Sequence, residues 1–137
     1  MSQNFDPNQN YYIFNKKNSI PIVFIHGVGL DHQMWDYQTS YFNEYSTLTY
    51  DLLGHGKTPC DKDELTLRDF SNQLLEILDH LRVEKINLIG FSLGSLIALD
   101  FSSYFQKKVE KLILIGTTYK RSDEERSLEL DRYNKAK

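Results

Sequence analysis

Four short β-branched runs, each followed by a turn and most of them by a helical pattern, constrain this chain more than anything else in it. The runs are Ile22–Ile25, Ser46–Asp51, Lys85–Phe91 and Leu112–Ile115. The first three read as buried strands, rich in β-branched and aromatic residues, and the last as a fourth strand. Between the second and third, Leu67, Phe70, Leu74, Ile77, Leu78 and Leu81 recur at three and four residues, the signature of an amphipathic helix. Thr66 and Asp69 form its capping box. Alternating strands and helices predict an α/β fold: a mainly parallel sheet with helices on both faces. A further strand is expected over Tyr11–Lys16, a helix from Asp31 to Tyr45, a helix after Phe91, and a polar helix opened by a Ser122/Glu125 capping box. Leu128, Leu130 and Tyr133 would give that last helix its only apolar side.

The 137 residues carry 40% hydrophobic and 26% charged side chains, enough apolar material for one core. A net charge of -3 supplies no basic footprint for nucleic acid or an anionic membrane, so neither is expected as a partner. The polar start MSQNFDPNQNYY is no signal peptide, and the apolar runs are too short to span a bilayer. A lone Cys60 rules out an intrachain disulfide and suits a reducing compartment. A cytoplasmic protein is expected.

The third strand runs into Gly90-Phe91-Ser92-Leu93-Gly94, a G-x-S-x-G placed where a strand becomes a helix. In that setting a serine is held out at the carboxyl end of the sheet, with the first amides of the following helix beside it. Gly90 and Gly94 let the backbone pass its neighbours without a Cβ in the way. The bland alternative is a Gly/Ser turn. Upstream, His26-Gly27-Val28-Gly29 also follows a strand; the N–H groups of Val28 and Leu93 are expected to form an oxyanion hole. A dinucleotide loop fails here because His32 occupies the third glycine position. In the third element, Asp51-Leu52-Leu53-Gly54-His55-Gly56-Lys57-Thr58, a phosphate-binding P-loop fails because Asp51 stands where its first glycine belongs.

In this order and spacing, FIHGVG…W, DLLGHGKT and GFSLGSLIAL resemble the α/β-hydrolase superfamily, closest to its esterase, enol-lactonase and C–C hydrolase branch with D-x-x-G-x-G-x-[ST]. The resemblance runs from about Ile13 to Thr118. It implies Ser92 as nucleophile, the Val28 and Leu93 amides as oxyanion hole, and His26, Gly27, Gly90 and Gly94 as residues shaping the site. The implied substrate is a small carboxylic ester or lactone, with no cofactor and no metal. Serine at the elbow argues against the dehalogenases of the same fold, which carry aspartate there.

In this fold the triad acid and histidine follow the serine, whereas His26, His32, His55 and His80 all precede it. His26 is expected to hydrogen-bond within the oxyanion loop, and His55 to support a turn at the rim. His32 and His80 are expected on the surface. Asp51 is read as a loop-capping carboxylate, and Asp100 as a helix residue facing solvent. The expectation is therefore an N-terminal part of a longer enzyme, with residues 1–118 in the hydrolase core and 119–137 opening a cap region. Such a chain should turn over little by itself. Two alternatives stand beside it. One is an inactive half-fold serving as a binding or dimerisation module, self-associating through the apolar edge strand at Leu112–Ile115. The other is a lyase or acyltransferase built on the same elbow.

Overall fold

A computed structural model describes residues 4–117 and 122–136. It contains β1 (Tyr12–Asn15), β2 (Ile22–Ile25), a 3₁₀ turn over His32–Trp35 running into α1 (Asp36–Tyr41), and β3 (Thr47–Tyr50). Then follow α2 (Leu67–Leu81), β4 (Ile86–Phe91), α3 (Leu93–Tyr104), β5 (Val109–Ile115) and α4 (Asp123–Ala136). The strands form one sheet in the order β1-β3-β2-β4-β5. β2 pairs in parallel with β3 and β4, β4 in parallel with β5, and β1 antiparallel with β3. The expected alternation is therefore observed, with all four parallel strands delivering their carboxyl ends to one edge of the sheet.

The core lies between the sheet and the pair α2–α3. Val23, Ile25, Leu48, Tyr50, Ile86 and Leu88 of the strands meet Leu74, Ile77 and Leu78 of α2 and Ile97, Ala98 and Phe101 of α3. Both predicted capping boxes form: Asp69 N–H donates to Thr66 Oγ1 at 3.2 Å, and Ser122 N–H to Glu125 Oε2 at 2.7 Å. Arg82, in the left-handed conformation at φ 56°, ends α2. No helix among the described residues is long and apolar enough to cross a membrane.

Three expectations need correction. The helix foreseen from Asp31 to Tyr45 is a 3₁₀ turn and a six-residue α1. Its aromatic residues are not a core face: Trp35 is buried against Phe24, whereas Tyr37 and Tyr41 are exposed. Asp100 does not face solvent freely, because its carboxylate accepts from Ser71 Oγ at 2.7 Å and Arg68 Nε at 3.1 Å, tying α3 to α2. His32 is no surface residue, for a reason given below. On α4, Leu128 and Leu130 are exposed. The expected boundary between Thr118 and Tyr119 and the side chain of Tyr133 lie outside the described residues.

Candidate active site

Ser92 sits between β4 and α3 with φ 53° and ψ -116°. Positive φ is costly for a side chain bearing a Cβ, on the order of 1–3 kcal/mol for a strained backbone position. The surroundings impose it. A Cβ on Gly90 would collide with the carbonyl of Gly94, and one on Gly94 with the carbonyl of Ile25 and, at 2.7 Å, that of His26. The first turn of α3 is thus pressed against both β4 and the end of β2. Only glycine at both positions allows that approach. Ser92 N–H donates to Ile115 O of β5 at 2.9 Å, and Ser92 O accepts from Ser95 N at 2.9 Å and Ser95 Oγ at 2.5 Å. Ser95, fully buried, ties the elbow to the first turn of α3; nothing in its sequence context announced that role.

The contact of Gly94 with Ile25 and His26 brings the loop after β2 beside the elbow. Gly27 is less tightly placed: a Cβ there would lie 3.1 Å from the Phe91 ring, a close contact with a side chain and not with backbone. Val28 is 70% exposed at the tip of this loop. Leu93 contributes the first amide of α3, which has no acceptor within its own helix. Ser92, Val28 and Leu93 are thus brought to one edge of the sheet by β4 and β2.

His26 is fully buried. Its Nδ1 lies 2.7 Å from Gly27 O, and its Nε2 accepts the Leu52 N–H at 3.0 Å. Burial holds its pKa below the ordinary histidine value, and the neighbouring His55 pushes in the same direction; the Gly27 carbonyl and the carboxylates of Asp51 and Asp31 oppose them. His55 has no such buried place: it is partly exposed in the turn, 3.0 Å from Leu53 O through Nδ1.

Asp51 closes the turn after β3. One oxygen takes the His32 N–H at 2.8 Å and His32 Nδ1 at 2.7 Å; the other takes the Lys57 N–H at 2.8 Å. Burial of Asp51 works against its ionisation, but these bonds outweigh it and keep the carboxyl below its usual value. The loop-capping role expected of Asp51 is what the geometry displays. His32 is its buried partner, its ring tilted against Tyr11 with centroids 5.0 Å apart, and no local sequence signal marks a histidine 19 residues upstream as that partner. Asp31, His32 and Asp51 place ligand-type atoms within 4.8 Å of one another. Both Asp51 oxygens are already engaged by N–H donors, which accounts for the cluster without an ion. His80, at the far end of α2, is exposed, as expected.

Two clefts of about 520 and 540 Å³ lie away from Ser92. The first, between Lys16–Pro21 and Leu81–Lys85, is at the amino ends of the parallel strands. The second lies between β1, β3 and α1.

Residues 20–135 match the α/β hydrolase fold family. The chain is 30% identical over 126 residues to (E)-2-((N-methylformamido)methylene)succinate hydrolase of Acinetobacter baylyi, covering 91% of this chain and 48% of that protein. To 3-oxoadipate enol-lactonase 1 of the same organism it is 37% identical over 89 residues, 64% of this chain and 33% of the relative. Among solved structures, one from a study of carboxylesterases of Nitrososphaera gargenis superposes with a TM-score of 0.82 at 27% identity, covering 93% of this chain and 50% of that one. The chain spans about half the length of these relatives, or less.

Proposed function

Because the chain belongs to the α/β-hydrolase fold family, we propose that it is the nucleophile-bearing part of a serine hydrolase acting on a carboxylic ester or lactone. The observation that carries this reading is the conformation of Ser92, a serine held at φ 53° between a strand and a helix by two glycines that admit no Cβ. A serine needed only for its fold would be replaced there by glycine at a gain in stability. Ser92 Oγ attacks the substrate carbonyl, and the N–H groups of Val28 and Leu93 bind the oxyanion that forms. Both donors belong to the backbone, so their placement depends on the loop and helix that carry them. The names of the relatives, an enol-lactonase and carboxylesterases, support an ester or lactone as substrate class.

The general base and its carboxylate lie, on this reading, outside the 137 residues, and residues 119–137 open a cap over the site. The engagement of the histidines supports that assignment. His26 uses both nitrogens internally, His32 is bound to Asp51, His55 is turned to Leu53, and His80 is on another part of the molecule. Removing a triad base costs several orders of magnitude in rate. The 137-residue chain is therefore expected to show little turnover of simple esters or lactones. A version extended by the coding sequence after codon 137 should hydrolyse them and lose the activity in Ser92→Ala. A stoichiometric acyl-enzyme burst from the 137-residue chain would overturn the assignment of the base.

One observation favours a second reading, a half-fold that works as a binding or dimerisation module. Among the described residues β5 pairs only with β4, and Leu112, Ile113 and Ile115 on it are exposed. An apolar unpaired edge is a template for another strand. A stable, monodisperse dimer of the 137-residue chain, with no longer reading frame, would favour this reading over the first. The lyase or acyltransferase alternative is separated by product analysis on the extended protein.

A further inference from the structure

The two hydrogen bonds of His26 fix where its proton is. Nε2 accepts the Leu52 N–H at 3.0 Å, and a ring nitrogen that accepts carries no hydrogen. The single proton of the neutral imidazole is then on Nδ1, donated to Gly27 O at 2.7 Å. Leu30 N–H reaches the same carbonyl at 3.2 Å. The Gly27 carbonyl and the Val28 N–H are two ends of one planar trans peptide and point in opposite directions. Holding the carbonyl inward therefore turns the Val28 N–H outward, at the exposed tip of the loop beside Ser92.

We propose that His26 is a positioning residue: its Nδ1–H tautomer locks the Gly27–Val28 peptide plane against the Leu52 amide, and uptake of a second proton breaks that lock. This rests on the reading of Val28 N–H as an oxyanion donor, and it extends that reading to a control by acid. An imidazolium has donors at both nitrogens. Its new Nε2–H would face the Leu52 N–H, two donors with no acceptor between them, in a site closed to water. The ring would have to leave one partner, and the turn after β3 would separate from the loop after β2. The ionisable groups around the ring are His55 from the turn, whose ring centroid is 5.2 Å away, Asp51 at the end of β3, and Asp31 before the 3₁₀ turn. His55 and burial resist the second proton and the two carboxylates favour it. A histidine that merely filled the core would lose stability on replacement without any selective effect on Val28.

The test uses the 137-residue chain with ¹⁵N-labelled histidine. At neutral pH, His26 should show a protonated Nδ1 and an unprotonated Nε2. On acidification the Val28 and Leu52 amide resonances should move with the ring at one shared midpoint, below the ordinary histidine value. A proton found on Nε2 at neutral pH, or a Val28 amide that stays still while His26 titrates, overturns the proposal. Should the chain unfold before the ring titrates, two variants decide. His26→Asn keeps a donor within reach of Gly27 O, and His26→Gln keeps an acceptor within reach of Leu52 N–H. The Val28 resonance should remain near its place in the first and shift in the second; equal disturbance in both refutes the lock. In parallel, in the version extended by the coding sequence after codon 137, labelling of Ser92 by a fluorophosphonate should be about tenfold slower in His26→Gln than in His26→Asn, since a misplaced oxyanion donor costs up to about 10²–10³ in rate. If no variant of that extended version labels at Ser92, the serine-hydrolase reading fails, while the resonances of the 137-residue chain still decide the role of His26.

Discussion

The two faces of the sheet treat the same kind of residue differently. Towards α2 and α3, Val23, Ile25, Leu48, Ile86 and Leu88 have no exposed surface. On the other face, the 3₁₀ turn brings Trp35 onto Phe24 of β2, but over β4 and β5 the paired residues Ile89 and Ile113, Phe91 and Ile115 remain partly open. Ile113 is 51% exposed and Ile115 42%, although they end an unbroken apolar run, Leu112–Ile115. Strand pattern decides what can be buried; a helix or loop lying across it decides what is. The elbow stands where the two regimes meet, with Gly90 on the sealed side and Phe91 on the open one.

Truncation on the sealed face should have the largest effect. Leu88→Ala is expected to cost about 2–5 kcal/mol, as buried leucines do when they leave a cavity, measured by urea denaturation; a cost under about 1 kcal/mol would show that this face is not the core. Next comes the polar turn beside it. Asp51→Asn removes the charge that three donors serve and should cost about 1–3 kcal/mol. Asp51 titrates below its ordinary value in the folded chain, so its contribution is complete above about pH 4. That contribution is lost as pH falls through the lowered folded value. The stability curves of the wild type and the Asp51→Asn variant should therefore converge in acid, and curves that stay parallel down to about pH 2 would contradict the network. Smaller, and of opposite sign, is Ser92→Gly. Relief of the positive φ should stabilise the chain by about 1 kcal/mol, raising Tm by about 2–5 °C; a lower Tm would remove the case for strain at the elbow. Smallest is Ile113→Thr on the open face, expected to change stability by about 0.5 kcal/mol or less. Sedimentation should show less self-association in that variant if the apolar edge is what drives it.

The elements that follow from local pattern were legible in the sequence. The apolar runs located β2 to β5, the three- and four-residue spacing located α2, and two capping boxes fixed helix starts that the structure reproduces. The G-x-S-x-G turn placed Ser92 correctly between strand and helix. What local pattern missed are features created by packing. The stretch Asp31–Tyr45 carries aromatic residues at helical spacings, yet most of it is not a long helix, because Trp35 is drawn onto Phe24 while Tyr37 and Tyr41 are left in solvent. Asp100 and His32 looked like surface residues for the same reason. Their partners, Ser71 with Arg68 and Asp51, are 29, 32 and 19 residues away in sequence. Asp51 was readable as a cap because its turn is local; the histidine that completes it was not. The open apolar edge at Leu112–Ile115 was foreseen from the resemblance and not from local pattern, since apolar residues in a strand look alike whether or not something covers them.

The hydrogen bond from Ser92 N–H to Ile115 O makes one proton a clock for the last strand. While β5 is zipped to β4 that proton is withheld from solvent, and each time the strand end peels away it can be traded for deuterium. Its exchange rate thus counts openings of β5 at the very residue whose side chain is of interest, without any probe being attached. Anything that clamps the edge, whether a second copy or a longer chain, should slow that clock, and the slowing would measure how firmly the elbow is braced from outside.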